Sequence, residues 1–106
     1  MLKRRFQALI QEQFQAIADL TATKGEEYAR SDDQLANFKR QAEEGGIRPE
    51  QVWLIFFNKH VDAIKSYIKT GAVLSEPIEG RIDDAILYLL LLKAMVVEKQ
   101  EEQTRP

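Results

Sequence analysis

Three groups of side chains combine residue types and spacings that suit chemistry. Glu79, Asp83 and Asp84 fall within about two helical turns of one another, with Arg81 between them. Carboxylates at that spacing are hard-oxygen donors of the kind that hold Mg2+. Helix-dipole complementation is the alternative, because acids belong in a first turn and Arg81 can neutralise one of them. Glu79 suits that account, whereas Asp83 and Asp84 lie deeper. The second group is Lys59 and His60. A helical wheel places them on an apolar face with Val52, Ile55, Phe56, Ala63, Ile64 and Tyr67, opposite a solvated side of Asn58, Asp62, Lys65 and Lys69. An unpaired ammonium inside a core is costly, so Lys59 must meet a carboxylate, a phosphate or water, or run its stem out to the surface. His60 is either a ligand contact or a hydrogen-bonded core or interface imidazole, and Asp62 is expected to pair with Lys65 or Ser66. The third group, Lys24, Glu26, Glu27, Tyr28 and Arg30, joins both charges to an aromatic ring, as a nucleotide site would. Its cations suit phosphate, and its carboxylates suit a metal or a ribose hydroxyl. Asn37, next to Phe38, either orients a ligand or faces water.

Composition narrows what these groups can be. The chain has 106 residues, no Cys, one His, and a formal charge of −2 from 15 basic and 17 acidic side chains. Without Cys there is no disulfide framework and no thiolate metal site, which suits a reducing, cytoplasmic setting. With a single His most nucleophile–base triads are excluded, so catalysis would fall to carboxylates and a hard metal. The balanced charge argues against duplex DNA held on a basic face. Met1-Leu2-Lys3-Arg4-Arg5 is basic but is followed by alternating polar residues, so no secretory signal is expected.

Hydrophobic periodicity predicts helix from end to end, with an all-α, four-helix, single-domain fold. Phe6, Leu9, Ile10, Phe14, Ile17 and Ala18 predict a first helix over about Leu2–Ala22. The polar stretch Thr23–Asp33 is expected to be an ordered loop, with Asp32 or Asp33 capping a short helix that bears Leu35, Phe38 and Ala42. Gly45-Gly46 ends it. Pro49 and Glu50 open the third helix, and Gly71 stops it. Ser75 is the expected cap of a fourth helix running from about Glu76 to Lys99. From Ala85 to Val97 only Lys93 is charged. That run is shorter than the roughly 20 apolar residues a bilayer span needs. It predicts a helix buried on every side, centrally or in a homo-oligomer interface, and no membrane association. Glu98–Pro106 is expected to be a polar, frayed tail.

The run Arg81-Ile82-Asp83-Asp84-Ala85-Ile86-Leu87-Tyr88-Leu89-Leu90 resembles the second acidic helix of the all-α NTP pyrophosphatases, the MazG and dimeric dUTPase group. Lys24-Gly25-Glu26-Glu27-Tyr28 and the Lys59 helix resemble more closely a small phage and bacterial relative, the nucleotide-modification-associated domain. The likeness runs over roughly Lys24 to Met95. The chain departs from the MazG pattern in having no Glu-x-x-Glu pair between Val52 and Ile68, where His60 and Asp62 are the nearest substitutes. It also carries Arg81 where that pattern has Glu, and Glu79 is displaced by two residues. The resemblance implies that Glu79, Asp83 and Asp84, joined by Glu27, bind Mg2+, with Glu79 and Asp84 catalytic. It also implies that Lys24, Lys59, His60 and Arg81 face the phosphates, beside Tyr28 and Asn37 as the further substrate-contact candidates that the residues themselves suggest.

Three functions follow as expectations. One is Mg2+-assisted hydrolysis of a nucleoside triphosphate or related phosphoanhydride, the metal lowering the pKa of an attacking water. The second is a non-catalytic phage protein that sequesters a signalling nucleotide in a site shared between subunits. The third is an interaction module whose polar groups form interface salt bridges.

Overall fold

The computed structural model of the chain describes residues 1–27, 32–72 and 76–105, with the backbone alone described for residues 23–27. The described residues form four helices and no strand: α1 (Lys3–Glu27), α2 (Ala36–Gly45), α3 (Pro49–Thr70) and α4 (Ile78–Thr104). The all-α expectation therefore holds. None of these helices is long and apolar enough to cross a membrane. The chain divides into two compact units, Met1–Gln34 and Leu35–Pro106.

The first unit is built on α1. Its surface carries an ion pair two turns apart, Arg5 Nη1 to Glu12 Oε1 at 3.2 Å, and a hydrogen bond from Gln15 Nε2 to Asp19 Oδ1 at 2.9 Å. The helix runs about five residues past Ala22, through Gly25, so the first part of the expected Thr23–Asp33 loop is helical. A single Gly costs a helix only about 1 kcal/mol, and the Lys and Glu residues around it are good helix formers.

In the second unit α2, α3 and α4 share one core. Leu35, Phe38, Ala42, Val52, Trp53 and Met95 form its buried centre, with Phe56, Tyr88 and Leu91 packed against it. Trp53 stacks on Phe57 with ring centroids 4.6 Å apart, and its Nε1 donates to the Tyr88 carbonyl at 2.6 Å. Phe38 meets the Tyr88 ring edge to face. The pairs Glu50–Lys99, Trp53–Tyr88 and His60–Asp84 show that α3 and α4 run antiparallel.

Helix ends follow local chemistry with two departures. Leu35, not Asp32 or Asp33, is the N-cap of α2, and α4 begins at Ile78 behind Pro77 with no side-chain cap bond; Ser75 lies outside the described residues. At α3 the Gln51 Oε1 accepts from the Arg48 N–H at 2.8 Å, and Pro49 opens the first turn without wasting an N–H. Gly46 closes α2 at φ +66°, where the Ile47 N–H reaches back to the Ala42 carbonyl at 3.0 Å. A Cβ on Gly46 would meet nothing within 4 Å, so Gly46→Ala has only the left-handed backbone penalty of about 1–2 kcal/mol. Urea unfolding should show that loss with an unchanged m-value.

The stretch expected to fray stays helical to Thr104. Two cross-helix ion pairs begin it: Lys39 Nζ to Glu98 Oε1 at 2.9 Å and Lys99 Nζ to Glu50 Oε1 at 2.6 Å. The hydrogen bond from Lys99 holds the Glu50 carboxyl below its ordinary value of 4.5. A depressed carboxyl stabilises the fold above its unfolded value and loses that contribution as pH falls through the folded one. Glu50→Gln should therefore cost about 0.5–1 kcal/mol at pH 7, the range for a partly exposed pair. The difference from wild type should shrink steadily below pH 4.5 in acid titrations of thermal stability.

Two packing expectations need correction. The buried stripe of α3 is rotated towards Val52, Trp53, Phe56, Phe57 and His60, leaving Ile55 and Tyr67 exposed, because α2 and α4 cover only that strip. Within one chain α4 is buried on the α3 side while Leu89, Leu90, Val96 and Val97 are exposed, so it is not a central helix.

Candidate functional site

His60 occupies the seam between α3 and α4. One α3 turn beyond the Trp53–Phe57 stack, the buried stripe presents an imidazole where an aliphatic side chain would continue the packing. Its side chain is 13% exposed. The ring tilts against Tyr88 with centroids 4.9 Å apart, and Nδ1 lies 4.0 Å from Asp84 Oδ2. Nδ1 is buried and makes no hydrogen bond among the described residues. An unbonded buried polar atom costs about 1–3 kcal/mol.

The rest of the wall comes from α4. Arg81, Asp84 and Tyr88 share one side of that helix, three and four residues apart. Burial raises the Tyr88 hydroxyl pKa, and the negative charge of Asp84 adds to the shift, so the phenol stays neutral at physiological pH and remains a donor. Arg81 Nε lies 3.5 Å from Glu76 Oε2, with the guanidinium largely covered. The Trp53 N–H on the Tyr88 carbonyl fixes the register that sets His60 against Asp84.

The structure places the remaining expected site residues as follows. Lys59 is exposed and lies over the Phe56 ring, 5.3 Å from its centroid, so it runs its stem outward and is not buried among apolar groups. Asp62 is exposed. Glu79 is also exposed, about 140° around α4 from Asp84, and Asp83 is half-buried, about 100° from it. Among the described residues no three His, Asp or Glu side chains come together to hold a metal ion. Asn37 Oδ1 accepts from Arg40 Nη2 at 2.6 Å on the surface of α2. Lys24 and Glu27 belong to α1 by their backbone, with side chains outside the described residues; Tyr28 lies wholly outside them.

A groove of about 360 Å3, which the sequence did not single out, lies by the start of α3 and the end of α4. It is lined by Lys39, Glu50, Met95 and Lys99 among others. Four of its charged residues, Lys39, Glu50, Glu98 and Lys99, form the two ion pairs of the core rim. Pairs between residues some 50 positions apart leave no trace in local sequence spacing. No family model, curated protein or solved structure matches the chain.

Proposed function

We propose that the chain is a nucleotide-binding protein of the all-α NTP pyrophosphatase type, akin to the small nucleotide-modification-associated domain. Its ligand is a nucleotide or nucleotide-like phosphate taken at the His60–Asp84–Tyr88 seam. The observation that carries this reading is the buried Nδ1 of His60, beside a carboxylate and without a hydrogen bond among the described residues. A ligand hydroxyl or phosphate oxygen that reaches His60 satisfies the imidazole, and the neutral Tyr88 phenol offers a second donor. Arg81 on the same side of α4, and Lys59 next to His60 in sequence, supply the cations phosphate requires. The aromatic residues behind them provide an apolar bed for a base.

Binding without turnover is the primary reading, because the described donor set brings only Asp84 to the imidazole. Mg2+-dependent hydrolysis is the second, favoured by the pairing of Asp84 with His60, which suits positioning a water. Incubation with a nucleotide panel, with and without Mg2+, separates them when binding and phosphate or pyrophosphate release are followed on the same samples. Binding with unchanged nucleotide supports sequestration. Release abolished by Asp84→Ala supports hydrolysis, and neither binding nor release sinks both.

A further inference from the structure

Arg81 already holds an anion that belongs to the chain itself. Glu76 Oε2 lies 3.5 Å from Arg81 Nε. Both residues are in the Leu35–Pro106 unit, and Arg81 stands one turn before Asp84 on the side of α4 that meets His60. A carboxylate that serves to orient a guanidinium makes short hydrogen bonds of about 2.7–2.9 Å, often in pairs. The Glu76 contact is longer than that, and it comes from outside the helix. Pro77, at φ −57° and ψ 140°, stands between Glu76 and the start of α4 at Ile78. A residue before Pro is disfavoured in helical backbone. The first turn closes instead on the Pro77 carbonyl, which accepts from the Gly80 N–H at 3.1 Å. Withdrawing the Glu76 carboxylate therefore breaks no hydrogen bond of the helix.

We propose, resting on the nucleotide reading of the seam, that Glu76 is a specificity-determining residue whose carboxylate competes with a ligand phosphate for Arg81. A terminal phosphate brings three acceptor oxygens and more than one negative charge, so it outcompetes a single loosely held carboxylate. A ligand carboxylate has no such advantage over the resident one, and an uncharged ligand leaves the pair in place. Selectivity for phosphorylated ligands thus comes from an internal competitor as well as from attraction. The competitor has a cost: displaced, Glu76 remains a negative charge near the bound phosphate and weakens its binding.

Titration calorimetry on the full chain tests this with the common ribonucleoside triphosphates, the matching nucleosides serving as uncharged controls. Mg2+ is left out so that the phosphate charge is unmasked. Glu76→Gln should tighten the triphosphate that wild type binds by about two- to fivefold, the worth of a loosely held ion pair. It should leave the nucleoside unchanged and melt like wild type. In an Arg81→Gln background the same substitution should add nothing, because there is no guanidinium to release. Where wild type binds, an unchanged or weakened affinity in Glu76→Gln would overturn the role of Glu76 and leave the seam reading standing. An equal gain without Arg81 would do the same, since it would reflect net charge alone. Absence of triphosphate binding in both wild type and Glu76→Gln would overturn both readings, whereas binding that emerges only in Glu76→Gln would support both.

Discussion

Trp53→Ala should unfold the α2–α3–α4 unit at 25 °C or leave it marginal. Trp53 is 6% exposed, stacks on Phe57 and donates its indole N–H to the Tyr88 carbonyl. Removing a buried Trp costs about 3–5 kcal/mol through lost burial and the cavity left behind. A unit of roughly 70 residues holds on the order of 4–10 kcal/mol in total. The expected readout is a low, broad thermal transition by circular dichroism. Trp53→Phe keeps most of the stack and loses the indole bond, so it should fold with a smaller deficit. As the only Trp of the chain, Trp53 is also an intrinsic fluorescence probe of this core. If Trp53→Ala melted like wild type, the packing of α3 on α4, and with it the register of His60 against Asp84, would be wrong.

His60→Leu should move stability and binding in opposite directions. Leu fills a similar volume in the seam and removes a buried nitrogen that has no hydrogen bond among the described residues. Stability should hold or rise by up to about 1 kcal/mol. Nucleotide affinity should fall about 10- to 100-fold, the loss of one hydrogen bond to a charged group. A purely structural His60 predicts a different pattern: lost stability and no ligand to lose. Asp84→Asn keeps the shape and removes the charge. Under the binding reading it should change the affinity for phosphorylated ligands while leaving the melting curve close to wild type.

Much of the architecture was legible in the sequence because helix punctuation is local. Pro49, Gly46 and Gly71 mark ends that the structure places at those positions, within a residue or two. What was not legible depended on contacts between helices. The wheel for α3 put Ile55 and Tyr67 inside and did not single out Trp53, because a helical wheel shows that a face is apolar, not which strip of it a neighbour will cover. Lys59 looked buried for the same reason. The persistence of α4 to Thr104 coincides with the pairing of Glu98 and Lys99 to residues on α2 and α3. At the site, the sequence pointed to His60, Asp84 and Arg81 by type and spacing. It could not show that Asp84, and not Glu79, is the acid that faces α3, since helical spacing says nothing about which side of a helix faces the core. Tyr88, first noticed as a member of the acidic helix motif, proves to be the hub that links the Trp53 anchor to the His60 seam.

Whether the seam around His60 takes a nucleotide phosphate is decided by calorimetric titration of the wild-type chain and of His60→Leu with the tightest nucleotide of the panel, with and without Mg2+. The expected result is saturable binding by wild type, weakened about 10- to 100-fold in a variant that melts at or above the wild-type temperature. Equal affinity in the two proteins, or no binding by wild type to any nucleotide, would contradict it.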